Sequence, residues 1–179
     1  SILHIGTLEP RKNIQRLVQA YALLPKELQN DHPLILCGGK GWRDDSIIET
    51  INALIHKGVR IELTGYVSDA QKEQLYQKAS VIISVAHYEG FGMPVLEAVQ
   101  YNKPLILSDI PVYREVADDL PIYCDKDDIH SIASAIKSAL VKRHVSRHEK
   151  HNNKAKNVLG KYSWEQNAEK ILTAINNRN

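Results

Sequence analysis

A chain of 179 residues with 43% hydrophobic content and a net charge of +2 has the size and make-up of one globular domain able to bury its own core. So small a charge surplus gives no sign of a nucleic-acid partner, and no apolar run approaches the roughly 20 residues that span a bilayer. The two cysteines, Cys37 and Cys124, belong to no C-x-x-C pair, which argues against zinc or dithiol chemistry and for a reducing, cytoplasmic setting.

Strand-like and helix-like segments alternate along the chain. Ile2–Ile5 reads as a strand that enters a turn at Gly6, with no leader-like start, so the chain is expected to be part of something longer. Residues 13–24 carry Ile14, Leu17, Val18 and Tyr21 at helical spacing, with Pro25 near the stop. Leu34–Cys37 is a second strand ending in two glycines. Residues 46–57 place Ile47, Ile48, Ile51, Leu54 and Ile55 on one helix face behind a Ser46 cap. Residues 59–64 form a third strand closed by Gly65, and Ser68 with Gln71 spells a capping box for a helix to Ala79. A strand at 81–85, a helix at 94–102 with Pro94 first, and a strand at 105–107 follow. Next come a short helix at 112–117, a strand at Ile122–Cys124, and a helix from an Asp128 cap to Val141. Two further helices are predicted at 145–160 and 163–176.

Unbroken apolar strands between amphipathic helices predict an α/β fold: a doubly wound, Rossmann-like parallel sheet of about six strands with helices on both faces, in a single domain over 1–179. Ligands bind such sheets beyond the carboxyl ends of the strands. The informative loops lie there: 6–13, 38–42, 65–67 and 87–95.

The last of these contains Glu89-Gly90-Phe91-Gly92-Met93-Pro94-Val95-Leu96-Glu97, two carboxylates separated by a glycine-rich turn and a helix start. Carboxylates accept from sugar hydroxyls, and a helix N-terminus attracts phosphate, so the pair points to a nucleotide-sugar. The loop Gly6-Thr7-Leu8-Glu9-Pro10-Arg11-Lys12-Asn13 puts two cations beside another helix start, where Lys12 can meet a diphosphate. Neither loop is a G-x-x-x-x-G-K-[ST] or G-x-G-x-x-G element, which removes the usual support for ATPase and dinucleotide readings.

Together these residues resemble the retaining glycosyltransferases of family 4, two-domain GT-B enzymes whose signature is the E-G-F-G-x-P-x-L-E run, complete here. The resemblance is to their C-terminal, donor-binding half, and the Pro10-Arg11-Lys12-Asn13 wording is similar to a subset rich in bacterial mannosyltransferases. It covers essentially the whole chain, down to Tyr162-Ser163-Trp164. The resemblance implies that Glu97 binds the ribose and that Glu89 contacts the transferred sugar. It also implies that the backbone around Gly90, Phe91, Gly92 and Met93 holds the sugar hydroxyls, and that N–H groups from Val95 onward, past Pro94, face the phosphates. Lys12 would offset the charge of the departing diphosphate beside Gly6, and Gly65, Tyr66 and Val67 would read the base. No metal or other cofactor is expected. The implied donor is GDP-mannose, the product a surface polysaccharide or lipid-linked glycan, and the acceptor domain is a missing N-terminal half.

One departure is Thr7, where the family often has arginine after the loop glycine; either Arg11 substitutes or Lys12 acts with backbone help alone. Asp125-Lys126-Asp127 spells a D-x-D, but its place before the Asp128 cap favours a turn over a metal site. His87, at a strand end, is either a substrate contact or a wall of the pocket. The basic stretch 142–156, with Lys142, Arg143, Arg147, Lys150, Lys154 and Lys156, is a solvated helix face or a peripheral contact with anionic lipid at the inner membrane surface. Two rivals remain: a donor module kept as a non-catalytic scaffold, and a phosphorylase-like enzyme of the same architecture.

Overall fold

The computed structural model describes residues 1–42, 45–141 and 148–162. Six parallel strands form one sheet: β1 (Ile2–Ile5), β2 (Leu34–Cys37), β3 (Ile61–Gly65), β4 (Val81–Ser84), β5 (Leu105–Ser108) and β6 (Ile122–Cys124), in the order β3-β2-β1-β4-β5-β6. The chain steps outward from β1 to β3, then returns to the centre and continues outward from β4. The order therefore reverses between β1 and β4, and the crevice above that reversal is where a doubly wound sheet takes its ligand.

Successive strand residues point to opposite faces, and two separate apolar clusters result. Ile2, Leu34, Leu36, Val81, Ile83 and Ile106 meet α1 (Ile14–Ala22), α3 (Asp45–His56) and α7 (Ile129–Val141) on one side. On the other, Leu3, Ile82, Leu105 and Leu107 meet α4 (Asp69–Lys78), α5 (Met93–Gln100), α6 (Pro111–Ala117) and α8 (His148–Lys161). Helices on both faces of a six-stranded parallel sheet are the architecture the sequence predicts. Cys37 and Cys124 are buried and unbridged.

Several boundaries differ from expectation. Helix α3 already includes Asp45, so Ser46 lies inside it rather than capping it. The third strand begins at Ile61, because Val59 is used in ending α3: its N–H bonds Leu54 O at 3.1 Å across Gly58, which has φ 78°. Pro25 starts a helix as well as stopping one, since α2 (Lys26–Asp31) follows it directly. That helix is too polar to show an apolar period, and its Gln29 side chain is buried and bonds Leu24 O at 2.8 Å. Helix α5 begins at Met93, with Pro94 second and Gly92 as its cap at φ 83°. The capping box is present as predicted: Ser68 Oγ accepts from the Gln71 N–H while Gln71 Oε1 accepts from the Ser68 N–H. Of the predicted terminal helices, residues 142–147 and 163–176 lie outside the described residues.

Candidate functional site

The two loops at the strand-order reversal are tied together by backbone and side chain. After β1 the chain makes a 3-10 turn, Pro10–Lys12, and passes through Asn13 in the left-handed region at φ 58° into α1. The Asn13 amide donates to Val85 O at 3.1 Å and to Lys126 O at 2.8 Å, and the His87 N–H donates to Arg11 O at 2.9 Å. This fixes the first loop against the end of β4. Gly38, after β2, lies against Gly6 so closely that a Cβ there would sit 2.0 Å from Gly6 O. Only glycine permits that approach.

Arg11 and Lys12 therefore project at the loop that carries Glu89. Arg11 Nη1 bonds Glu89 Oε2 at 2.6 Å, the Lys12 ammonium bonds Glu89 Oε1, and Arg11 Nη2 bonds Glu9 Oε1 at 2.6 Å. Lys12 is 8% exposed. Burial alone would push the Glu89 carboxyl up, but Lys12 and then Arg11 outweigh it and hold it below the usual carboxylate range. Burial also works against the Arg11 charge, and Glu89 and Glu9 more than compensate. Arg11 thus lies beside Lys12 on the same carboxylate, while Thr7 is exposed.

Beneath this pair lies His4, which the sequence reading passed over as one more residue of a buried strand. It is fully buried, and its Nδ1 lies 3.1 Å from Ile83 O. A carbonyl only accepts, so Nδ1 carries the proton and Nε2 is a bare acceptor. Nε2 finds no hydrogen-bond partner among the described residues. A Cβ on Gly6 would be 3.4 Å from both His4 Nε2 and Lys12 Cε, so the imidazole and the Lys12 stem both border the space beside Gly6. Burial lowers the His4 pKa to about 4.

Glu97 lies one turn into α5, apart from this cluster. Its Oε1 accepts from Lys72 Nζ at 3.0 Å and its Oε2 from the Tyr76 hydroxyl at 2.7 Å, both from α4. Neither partner was singled out from sequence, although their spacing on a capped helix is visible there. Between the two acids, Gly92 is buried with a Cβ position 3.1 Å from the Tyr113 ring, so the second motif glycine answers both to φ and to space. Phe91 meets Tyr162 edge-on at 5.3 Å, Met93 is exposed, and Gly90 lies at the surface. Val95 corrects one expectation: its side chain is buried and its N–H closes the first helical turn on Gly92 O at 2.8 Å, so it does not present a free donor. Gly65, the last residue of β3, has φ 66°; just past it Tyr66 is 91% exposed and Val67 is half-buried.

His87 is half-buried with Nδ1 3.8 Å from Asp127 Oδ1, and burial lowers its pKa. The D-x-D run forms a turn: Asp125 Oδ1 accepts from the Asp127 N–H at 2.9 Å, and Asp128 Oδ1 caps α7 through the His130 N–H at 2.8 Å. Among the described residues no group of three or more His, Cys, Asp or Glu side chains could hold a metal ion. None of their helices is long and apolar enough to cross a membrane.

Comparison with known proteins agrees with this arrangement. Residues 1–158 match the family described as glycosyl transferases group 1. O-antigen chain mannosyltransferase B of Escherichia coli is 40% identical over 141 residues, 77% of this chain and 36% of that protein. The serotype-specific mannosyltransferase WbdA of Escherichia coli is 30% identical over 172 residues, 96% of this chain and 20% of that protein. This chain therefore spans a minor part of the relatives it matches. The Anabaena HepE structure in complex with UDP superposes with a TM-score of 0.75 at 19% identity, over 96% of this chain and 48% of that one. Its identity is low enough that it speaks for the fold alone, the GT-B architecture. The match over residues 1–158 makes this protein a member of the group 1 glycosyl transferases.

Proposed function

We propose that this chain is the donor-binding half of a retaining mannosyltransferase that takes mannose from GDP-mannose and adds it to a growing surface polysaccharide or lipid-linked acceptor. The observation that carries this is the meeting of Arg11, Lys12 and Glu89 across the strand-order reversal, with Glu97 one helical turn further on. Mannosyltransferases as relatives favour the sugar, and a neighbour whose structure holds UDP favours a nucleotide in the crevice.

In this reading Glu97 accepts from the ribose hydroxyls and the 65–67 loop reads the base. The diphosphate takes Arg11 and Lys12 from Glu89, and the freed Glu89 turns to the transferred sugar beside the backbone of residues 90–93. Bond cleavage at the anomeric carbon leaves charge on the diphosphate, and two pre-placed cations in a partly water-excluded site stabilise it strongly. The two cations, rather than a divalent metal, meet that charge, so EDTA leaves transfer by the full-length enzyme unchanged. An N-terminal domain supplies the acceptor. The enzyme works on the cytoplasmic side, with the basic stretch 142–156 against anionic lipid.

Calorimetric titration with GDP, UDP, ADP and GDP-mannose tests the reading. We expect GDP and GDP-mannose to bind, about tenfold more weakly to Glu97→Ala. The 179-residue chain alone should transfer no sugar. A folded chain that binds none of the four, or that transfers sugar unaided, overturns the proposal.

A further inference from the structure

Lys72 and Tyr76 stand one turn apart on α4 and so leave the same face of the helix. Both end on Glu97, one on each carboxylate oxygen. Tyr76 is 1% exposed and is the buried residue of α4; its ring stacks on Tyr101 at 4.9 Å with the planes 6° apart. Packing accounts for the ring but not for the hydroxyl, since phenylalanine would fill the same space. A buried hydroxyl is costly unless bonded, and this one is bonded to Glu97. The Lys72 ammonium reaches the other oxygen from the solvent side, with its side chain 33% exposed against 27% for that of Glu97.

Burial and then Glu97 push the Tyr76 phenol far above its ordinary range, while Glu97 and then Asp69 hold Lys72 protonated against burial. Both remain donors at any working pH. A carboxylate offers about four acceptor positions, so two donors leave about two, enough for a vicinal diol. With one donor on each oxygen, the plane of the carboxylate is set before any ligand arrives, which removes an ordering cost from binding.

We propose that Lys72 and Tyr76 are positioning residues for the ribose site, aligning Glu97 so that its open acceptor positions meet the 2′- and 3′-hydroxyls together. This rests on the reading of Glu97 as the ribose acceptor given above. It makes a distinctive claim: the two residues matter only to a ligand that carries the diol.

The test uses the 179-residue chain and whichever of GDP, UDP or ADP binds tightest, beside the 2′,3′-dideoxy form of the same nucleotide. The wild-type chain should prefer the ribose form by about tenfold, and Tyr76→Phe and Lys72→Met should each weaken that form by roughly three- to tenfold. Binding of the dideoxy form should stay within about twofold, because its complex never used the aligned carboxylate. Equal losses for both nucleotides would mean that the residues merely support α4, and no loss for either would mean that Glu97 needs no alignment; each overturns the inference while leaving the ribose reading intact. A wild-type chain that cannot tell ribose from dideoxyribose overturns the ribose reading itself, and the inference with it. Should Tyr76→Phe fail to reach the wild-type circular dichroism spectrum, the Lys72→Met comparison, at a side chain one-third exposed, decides the matter.

Discussion

The two acids of the motif are eight residues apart in sequence and live in opposite physical situations. Glu89 sits on a loop and is held by two cations from another loop, with its charge fully compensated. Glu97 sits on a helix and is held by one neutral hydroxyl and the ammonium of a side chain one-third exposed. An anionic ligand must break the first arrangement to gain Arg11 and Lys12, whereas a diol can add to the second without disturbing it. In the proposed reading one acid is thus part of an exchange of partners, and the other is a preformed acceptor. Their similar spelling in the sequence hides this difference.

The sharpest way to test the first arrangement is to remove the cation that both partners share. Lys12→Met in the full-length enzyme should lower kcat for sugar transfer by about a hundred- to a thousandfold, read in a radiolabelled transfer assay. Transfer at wild-type rates would show that Arg11 alone serves the diphosphate.

The floor beneath that cation gives the next largest effect. His4 has a folded pKa of about 4 against an unfolded value of 6.5, so between those pH values the unfolded chain binds a proton that the native one refuses. The neutral imidazole therefore costs nothing above pH 6.5, and stability falls as pH drops toward 4. Urea unfolding at pH 7 and pH 5 should differ by about 2 kcal/mol, and His4→Phe should remove most of that difference. Glu89 is held below the usual carboxylate range, so it stays ionised over this interval and does not obscure the result. A slope that survives His4→Phe would assign it to another histidine.

The two acids themselves supply the remaining tests, and here the signs should be opposite. Glu97→Gln should weaken GDP binding by about tenfold, since an amide accepts at one atom only and turns a donor toward the ribose. Glu89→Gln should tighten GDP binding by roughly three- to tenfold, because Arg11 and Lys12 no longer have to leave a carboxylate first. It should nevertheless reduce sugar transfer. If both substitutions weaken GDP alike, the contrast between exchange and preformed acceptor is wrong.

Much of this molecule is legible in the order of its residues. The alternation of apolar strands and amphipathic helices specifies a covered parallel sheet, since a central strand such as Val81–Ser84 is buried along its whole length, while the edge strand Ile61–Gly65 is mostly exposed. The capping box at Ser68 and Gln71, the cap at Asp128 and the glycine turn before α5 are local, and local chemistry reads them correctly. What failed was also local but polar: α2 has no apolar stripe, and Val59 carries a strand's side chain while its N–H serves the end of a helix.

Residues distant in sequence were a different matter. The sequence by itself determined the fold class, the loops that would gather at one end of the sheet, and the two acids with their neighbouring cations, because periodicity and turn chemistry depend on nearest neighbours along the chain. Tertiary structure alone decided who pairs with whom. That Arg11 and Lys12 close on Glu89, that Lys72 and Tyr76 close on Glu97, and that His4 buries a bare nitrogen beside Gly6 are consequences of strand order. The reversal between β1 and β4 brings together loops more than 70 residues apart, and no local rule can see the charge, burial and competition that proximity creates.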